Sequence, residues 1–85
     1  MSTIYTEEYQ RVVKALRDAR VAKGITQQRL ADALNKPQSF IAKIESGERR
    51  LDVIEFVHVA RLLGIEPAPL LEEIVPKRKI ALKQN

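Results

Sequence analysis

Between Thr26 and Gly47 the chain reads TQQRLADALNKPQSFIAKIESG, two short helical patterns on either side of Asn35, Lys36 and Pro37. Thr26 suits an N-cap, because its hydroxyl can accept a backbone N–H bond. Leu30, Ala31 and Leu34 then share one helical face. Asn35 tolerates the left-handed backbone that ends helices, and Lys36, preceding a proline, is pushed toward extended geometry. Pro37 marks the restart. A turn this tight keeps the two helices from packing side by side, so the remaining chain must build a core beneath both.

On the second helix, successive residues rotate by about 100°, which puts Ile41 and Ile44 on a buried side. Gln38, Ser39, Ala42, Lys43 and Ser46 face the other way. That outward face is polar, small and nearly uncharged, whereas an ordinary solvated helix carries more charge and stronger helix formers. Amide, hydroxyl and ammonium groups are what base edges and phosphates bond to. Two short helices across such a turn are how a helix-turn-helix looks in sequence; on the residues alone the outward side of the second helix is either a reading face or an ordinary surface.

The flanking segments supply three more helices. The first is expected from about Glu7 to Lys23, with Thr6 as N-cap, Glu7 and Glu8 at the positive end of the helix dipole, and Gly24 as its end. Tyr5, Tyr9, Val12, Leu16 and Ala19 form its apolar stripe, and Arg20 lies on that stripe. A cation in such a place needs a carboxylate from another element, and Glu45, at the edge of the buried side of the second helix-turn-helix helix, is the candidate. After Gly47, suited to a left-handed C-cap, Glu48, Arg49 and Arg50 form a short loop. Asp52 and Glu55 then have capping-box spacing. The fourth helix is expected to turn Val53, Phe56, Val57, Ala60 and Leu63 to the core and to close at Gly64. A fifth, Pro67 to Ile74, would cover the base of the bundle with Leu70, Leu71 and Ile74. The fold class is all-α, a compact bundle of five helices without a strand.

Residues 13–74, through the segments LRDARVAKGITQQRLADAL, QSFIAKIESGERR and LDVIEFVHVARLLGI, resemble the Cro/C1-type (XRE-like) family of bacterial and phage helix-turn-helix domains. The resemblance implies a lambda-repressor-like fold, sequence-specific binding to double-stranded DNA, and a pair between Arg20 and Glu45 joining the first helix to the third. It also places a phosphate contact at Gln27, which on the residues alone could equally be a solvated helix start. Three positions depart from the family pattern. Asn35 stands where Gly is usual, Pro37 where a capping Ser or Thr is usual, and Arg29 where a capping-box Glu is usual. Pro37 cannot offer a side-chain cap, a loss of about 1 kcal/mol, and Arg29 becomes a further candidate for phosphate.

The net charge of +4 is unevenly divided. Residues 11–50 sum to +6 and residues 51–75 to −4, and the tail adds Lys77, Arg78, Lys79 and Lys83. The positive block coincides with the reading half, as a footprint for phosphates should. Within it Gln38, Ser39 and Lys43 are candidates for base edges, Lys43 alternatively for phosphate. Phe40 would either touch a thymine methyl or shield the junction of the second and third helices. Arg49 and Arg50, with Gln27 and Arg29, are candidates for phosphates.

Eighty-five residues are expected to form one domain over 1–75, followed by a basic tail over 76–85 that would either follow DNA or pack on a partner through Ile80 and Leu82. So small a core is marginal without disulfides, a metal or a partner, and the chain has no cysteine, which leaves oligomerisation as the supplement. Ile54 and Leu62 fall off the core face of the fourth helix near His58 and Arg61. Either the fifth helix or tail covers them, or they meet a second subunit, since such domains bind paired half-sites as symmetric dimers. No apolar run suits a signal peptide or a membrane span, so the expected location is the cytoplasm, in association with DNA. Catalysis finds no constellation: His58 stands alone, Ser39 and Ser46 lack a nucleophile setting, and neither a phosphate loop nor metal-ligand spacing occurs. No metal or cofactor is expected. The reading is a dimeric repressor or controller, regulated through its own concentration because no room is left for an effector domain. The alternatives are an antitoxin bound to a toxin, and a protein-interaction module on the same fold.

Overall fold

A computed structural model describes residues 4–76, with side chains from Thr6 onward. The tail cations and the apolar pair Ile80 and Leu82 lie outside the described residues, as does the Tyr5 side chain. Five helices follow one another: α1 Ile4–Ala22, α2 Gln27–Ala33, α3 Gln38–Ser46, α4 Val53–Leu62 and α5 Pro67–Ile74. No strand occurs among the described residues. α2 packs on α3, α1 spans α3 and α5, and α4 closes the bundle against α2 and α5.

Local signals account for the turn. Thr26 caps α2, its Oγ1 accepting from the Arg29 N–H at 3.0 Å. At the other end Asn35 takes φ 62°, the one non-glycine with positive φ among the described residues. The Lys36 N–H then reaches back to the Ala31 carbonyl at 2.9 Å and the Asn35 N–H to that of Asp32 at 3.0 Å, the paired bonds of a Schellman stop. Pro37 sits at the N-cap of α3 with no side-chain cap bond. Gly47 ends α3 at φ 87°.

Beneath the turn lies one core. Leu30 and Ala31 of α2 and Phe40, Ile41 and Ile44 of α3 meet Val12 and Leu16 of α1 and Phe56, Val59, Ala60 and Leu63 of α4. Four expectations need correction. α1 begins at Ile4, so Thr6 is inside the helix instead of capping it; nothing at Thr6 interrupts the helical run upstream of it. Val13 is buried beside the expected stripe. On α4, Val59 is buried while Val53 is 75% exposed, because the apolar stripe is centred between Phe56 and Leu63, and Val53, in the first turn, points past the edge of the bundle. Leu71 is likewise exposed, whereas Leu70 and Ile74 pack on the core. Val53 and Leu71 border an open apolar recess of about 210 Å³ with Tyr9, Val12, Leu51 and Phe56.

Candidate nucleic-acid interface

α3 is anchored on one side and open on the other. Ile41 and Ile44 are buried, and Gln38, Ser39 and Lys43 are exposed. The side chains of Ser39, Lys43 and Arg29 have no hydrogen-bonding or ionic partner among the described residues. Phe40 does not belong to the reading surface. It is 8% exposed, and its ring lies under the Arg49 guanidinium at 4.5 Å and the Lys36 ammonium at 5.3 Å. A phenyl ring one position from the centre of the buried stripe gains more from the core than from water, so the thymine contact is replaced by the junction role.

A chain of polar side chains ties this helix to α1. Arg20 grips Glu45 in a fork, Nε to Oε2 at 2.7 Å and an Nη to Oε1 at 3.0 Å, and its other Nη donates to the Ile25 carbonyl at 2.7 Å. Arg17 approaches the same carboxylate at 3.9 Å. Glu45 also accepts from Gln27 Nε2 at 2.8 Å, and Gln27 Oε1 accepts from Gln38 Nε2 at 2.6 Å. The first residues of α2 and α3 are therefore joined to each other and, through Glu45, to the buried arginine. Gln27 keeps one amide N–H that this chain does not use, so a phosphate contact there would be made by a side chain already fixed in direction.

The loop after α3 is held as tightly. Arg49 forms a bidentate pair with Glu55 at 3.0 and 3.1 Å. Glu55 also accepts from the Asp52 N–H, while Asp52 accepts from the Glu55 N–H, completing the capping box of α4. Arg50 stacks on the Tyr9 ring at 4.5 Å, and the Tyr9 hydroxyl accepts from the Leu51 N–H at 3.0 Å. Of the two arginines, Arg49 is thus committed to a carboxylate, and Arg50 is exposed and has no ionic partner among the described residues. Sequence reasoning missed the partners of both arginines, and it missed Lys36, whose ammonium stands on the turn beside α3.

The Arg49 guanidinium, followed by the Asp52 backbone bond, holds the Glu55 carboxyl below its ordinary pKa. A carboxyl depressed in the folded state stabilises fully above the unfolded value, and that contribution is lost as the pH falls through the folded one. Glu55→Gln is therefore expected to lower the Tm at neutral pH and to have a much smaller effect in strong acid. Thermal melts of both proteins across pH 2–7 check this; a pH-independent difference would mean that packing, not charge, is lost.

Ile54 and Leu62 are 64% and 46% exposed, and His58 and Arg61 are exposed beside them. Within the described residues α5 does not cover them. No cluster of metal-ligating side chains occurs among the described residues, nor any helix long and apolar enough to cross a membrane.

A short α2 and α3 set across a Schellman turn, with the polar side of α3 outward from a bundle of three further helices, define a helix-turn-helix domain. The family profile described as Helix-turn-helix matches residues 16–70. Among solved structures, an XRE-family like protein from Pseudomonas syringae pv. tomato str. DC3000 is similar at 49% identity with a TM-score of 0.80, over 85% of this chain and 88% of that one. No curated protein matches significantly. The chain belongs to the XRE-like helix-turn-helix family, a family of DNA-binding transcription regulators.

Proposed function

We propose that this protein is a sequence-specific transcriptional regulator, a repressor or controller that binds operator DNA as a homodimer with α3 of each protomer in the major groove. The observation that carries the reading is the division of α3: Ile41 and Ile44 are buried, and Gln38, Ser39 and Lys43 stand exposed on the opposite side. Gln38 and Lys43 have the chemistry to read bases, a bidentate amide for adenine and a donor for guanine, and Ser39 can bond either. Arg29, Lys36 and Arg50 flank that surface with exposed positive charge, which suits phosphates on either side of the groove. Gln27 would add a phosphate contact from the start of α2, and Arg49 would do so only by leaving Glu55.

Dimerisation is proposed through the exposed α4 side of Ile54, His58, Arg61 and Leu62. Two reading helices would then meet half-sites about 34 Å apart. Such a protein works in the cytoplasm on DNA. Selection from a random duplex pool at moderate salt should enrich a palindromic motif, with two protomers bound per site by sedimentation. Enrichment of no motif would overturn the reading in favour of a protein-interaction module. A small protein co-purifying in stoichiometric amount on the Ile54 and Leu62 side would point to an antitoxin.

A further inference from the structure

We propose that the basic segment after α5, residues 77–83, lies back across the apolar recess beside that helix, with Ile80 and Leu82 seated against Tyr9, Val53, Phe56 and Leu71. The recess, about 210 Å³, is walled by α1, Leu51, the start of α4 and Leu71 of α5, and Asp52 is the one charged residue on its wall. Val53 and Leu71 lie exposed on it, apolar surface left to water unless a further group covers it. The chain leaves α5 at its edge. The Val75 N–H donates to the Leu71 carbonyl at 2.7 Å, so Val75 stands one turn beyond Leu71 on the same side of the helix, and it too is exposed. Its backbone has already left the helix, at φ −121° and ψ 76°, and Pro76, having no N–H, cannot resume it. From Pro76 to Ile80 four extended residues span about 13 Å, more than twice the rise of the turn between Leu71 and Val75. In an extended chain Ile80 and Leu82 point to one side about 7 Å apart, with Ala81 on the other.

Charge selects this occupant. Residues 51–75 sum to −4, and Lys77, Arg78, Lys79 and Lys83 of the segment to +4. Glu72, next to Leu71 on α5, is exposed and has no ionic partner among the described residues. Cations on both sides of Ile80 and Leu82 therefore match an apolar recess with Asp52 on one wall and Glu72 beside the other. A second copy of the chain would have to bring such a surface from solution. The segment is instead tethered within reach of the recess, at an effective concentration of order millimolar. Seated there, its charge is answered by the acidic half of the chain and not by phosphates. The proposal holds whether or not α3 reads DNA.

The test uses the full chain carrying Ile80→Ser and Leu82→Ser together, which keeps every charge and leaves the core untouched. Its Tm should fall by about 5–15 °C. In the unaltered protein, nuclear Overhauser spectra should connect the Ile80 and Leu82 methyl groups to the rings of Tyr9 and Phe56. Val53→Ser with Leu71→Ser, two exposed positions, should weaken those connections from the other side. Mixing isotope-labelled with unlabelled chains identifies the owner of the segment: connections within one chain are expected, and connections only between chains would overturn the proposal and give the recess to a second copy. Absence of any connection, with a Tm unmoved by the Ile80 and Leu82 changes, would overturn it as well and leave the segment free to follow DNA.

Discussion

Replacing Arg20 with Met is expected to lower the stability of the domain by about 3–5 kcal/mol. For a chain of this size that corresponds to a fall in Tm of about 15–30 °C, a large share of the roughly 5–10 kcal/mol such domains possess. The loss comes less from the missing attraction than from what stays behind. Glu45 would keep its charge in a site where only Gln27, at 2.8 Å, and the more exposed Arg17, at 3.9 Å, still face it. The Ile25 carbonyl would lose the donor it meets at 2.7 Å. Reversal at either position, Arg20→Glu or Glu45→Arg, should be as damaging, since two like charges would then share the site. Combining the two reversals should restore only part of the loss. A glutamate at 20 would set its carboxylate against the Ile25 carbonyl, and an arginine at 45 could not accept from Gln27. Urea melts of the four proteins read this directly, with the double-mutant cycle giving the coupling. Single variants that melt like the unaltered protein would show the pair to be solvated and energetically idle.

The features that could be read in advance are those that neighbouring residues determine. Asn35, Lys36 and Pro37 end one helix and start the next through their own backbone preferences, and the Asp52 and Glu55 box needs only its spacing. Arg20 could be matched to Glu45 because a guanidinium on an apolar stripe must find a buried carboxylate, and few lie opposite it. What stayed hidden depends on how elements meet. Tyr9 and Leu51 are 42 residues apart, and no periodicity joins them. Gln27 and Gln38 each look like an ordinary polar helix start until the turn brings them within 2.6 Å. Arg49 looks like a phosphate ligand in a basic loop, but α4 presents Glu55 to it. The exchange of Val53 for Val59 has the same origin: both fit an apolar stripe on α4, and only the way the helix meets α2 and α5 decides between them.

The commitment of Arg49 bears directly on how binding should respond to salt. Each phosphate neutralised contributes a slope of about −0.9 to log K against log salt concentration. Arg29, Lys36 and Arg50 are exposed and pair with no carboxylate among the described residues, so a dimer with Lys43 on a base edge would release the counterions of about six phosphates. Affinity for the operator is then expected to fall about 10³-fold between 50 and 200 mM salt. A monomer on a single half-site would show half that slope. Arg50→Ala should flatten the slope by about 2 for the dimer, one phosphate for each protomer, and weaken all sequences alike. Arg49→Ala should leave the slope nearly unchanged and lower the Tm instead, because its guanidinium is spent on Glu55 and on the Phe40 ring. Titrations at four salt concentrations with a fluorescent duplex separate the two arginines. Equal flattening by both would mean that Arg49 leaves Glu55 when DNA arrives, and the start of α4 would then lose its arginine partner each time the complex forms.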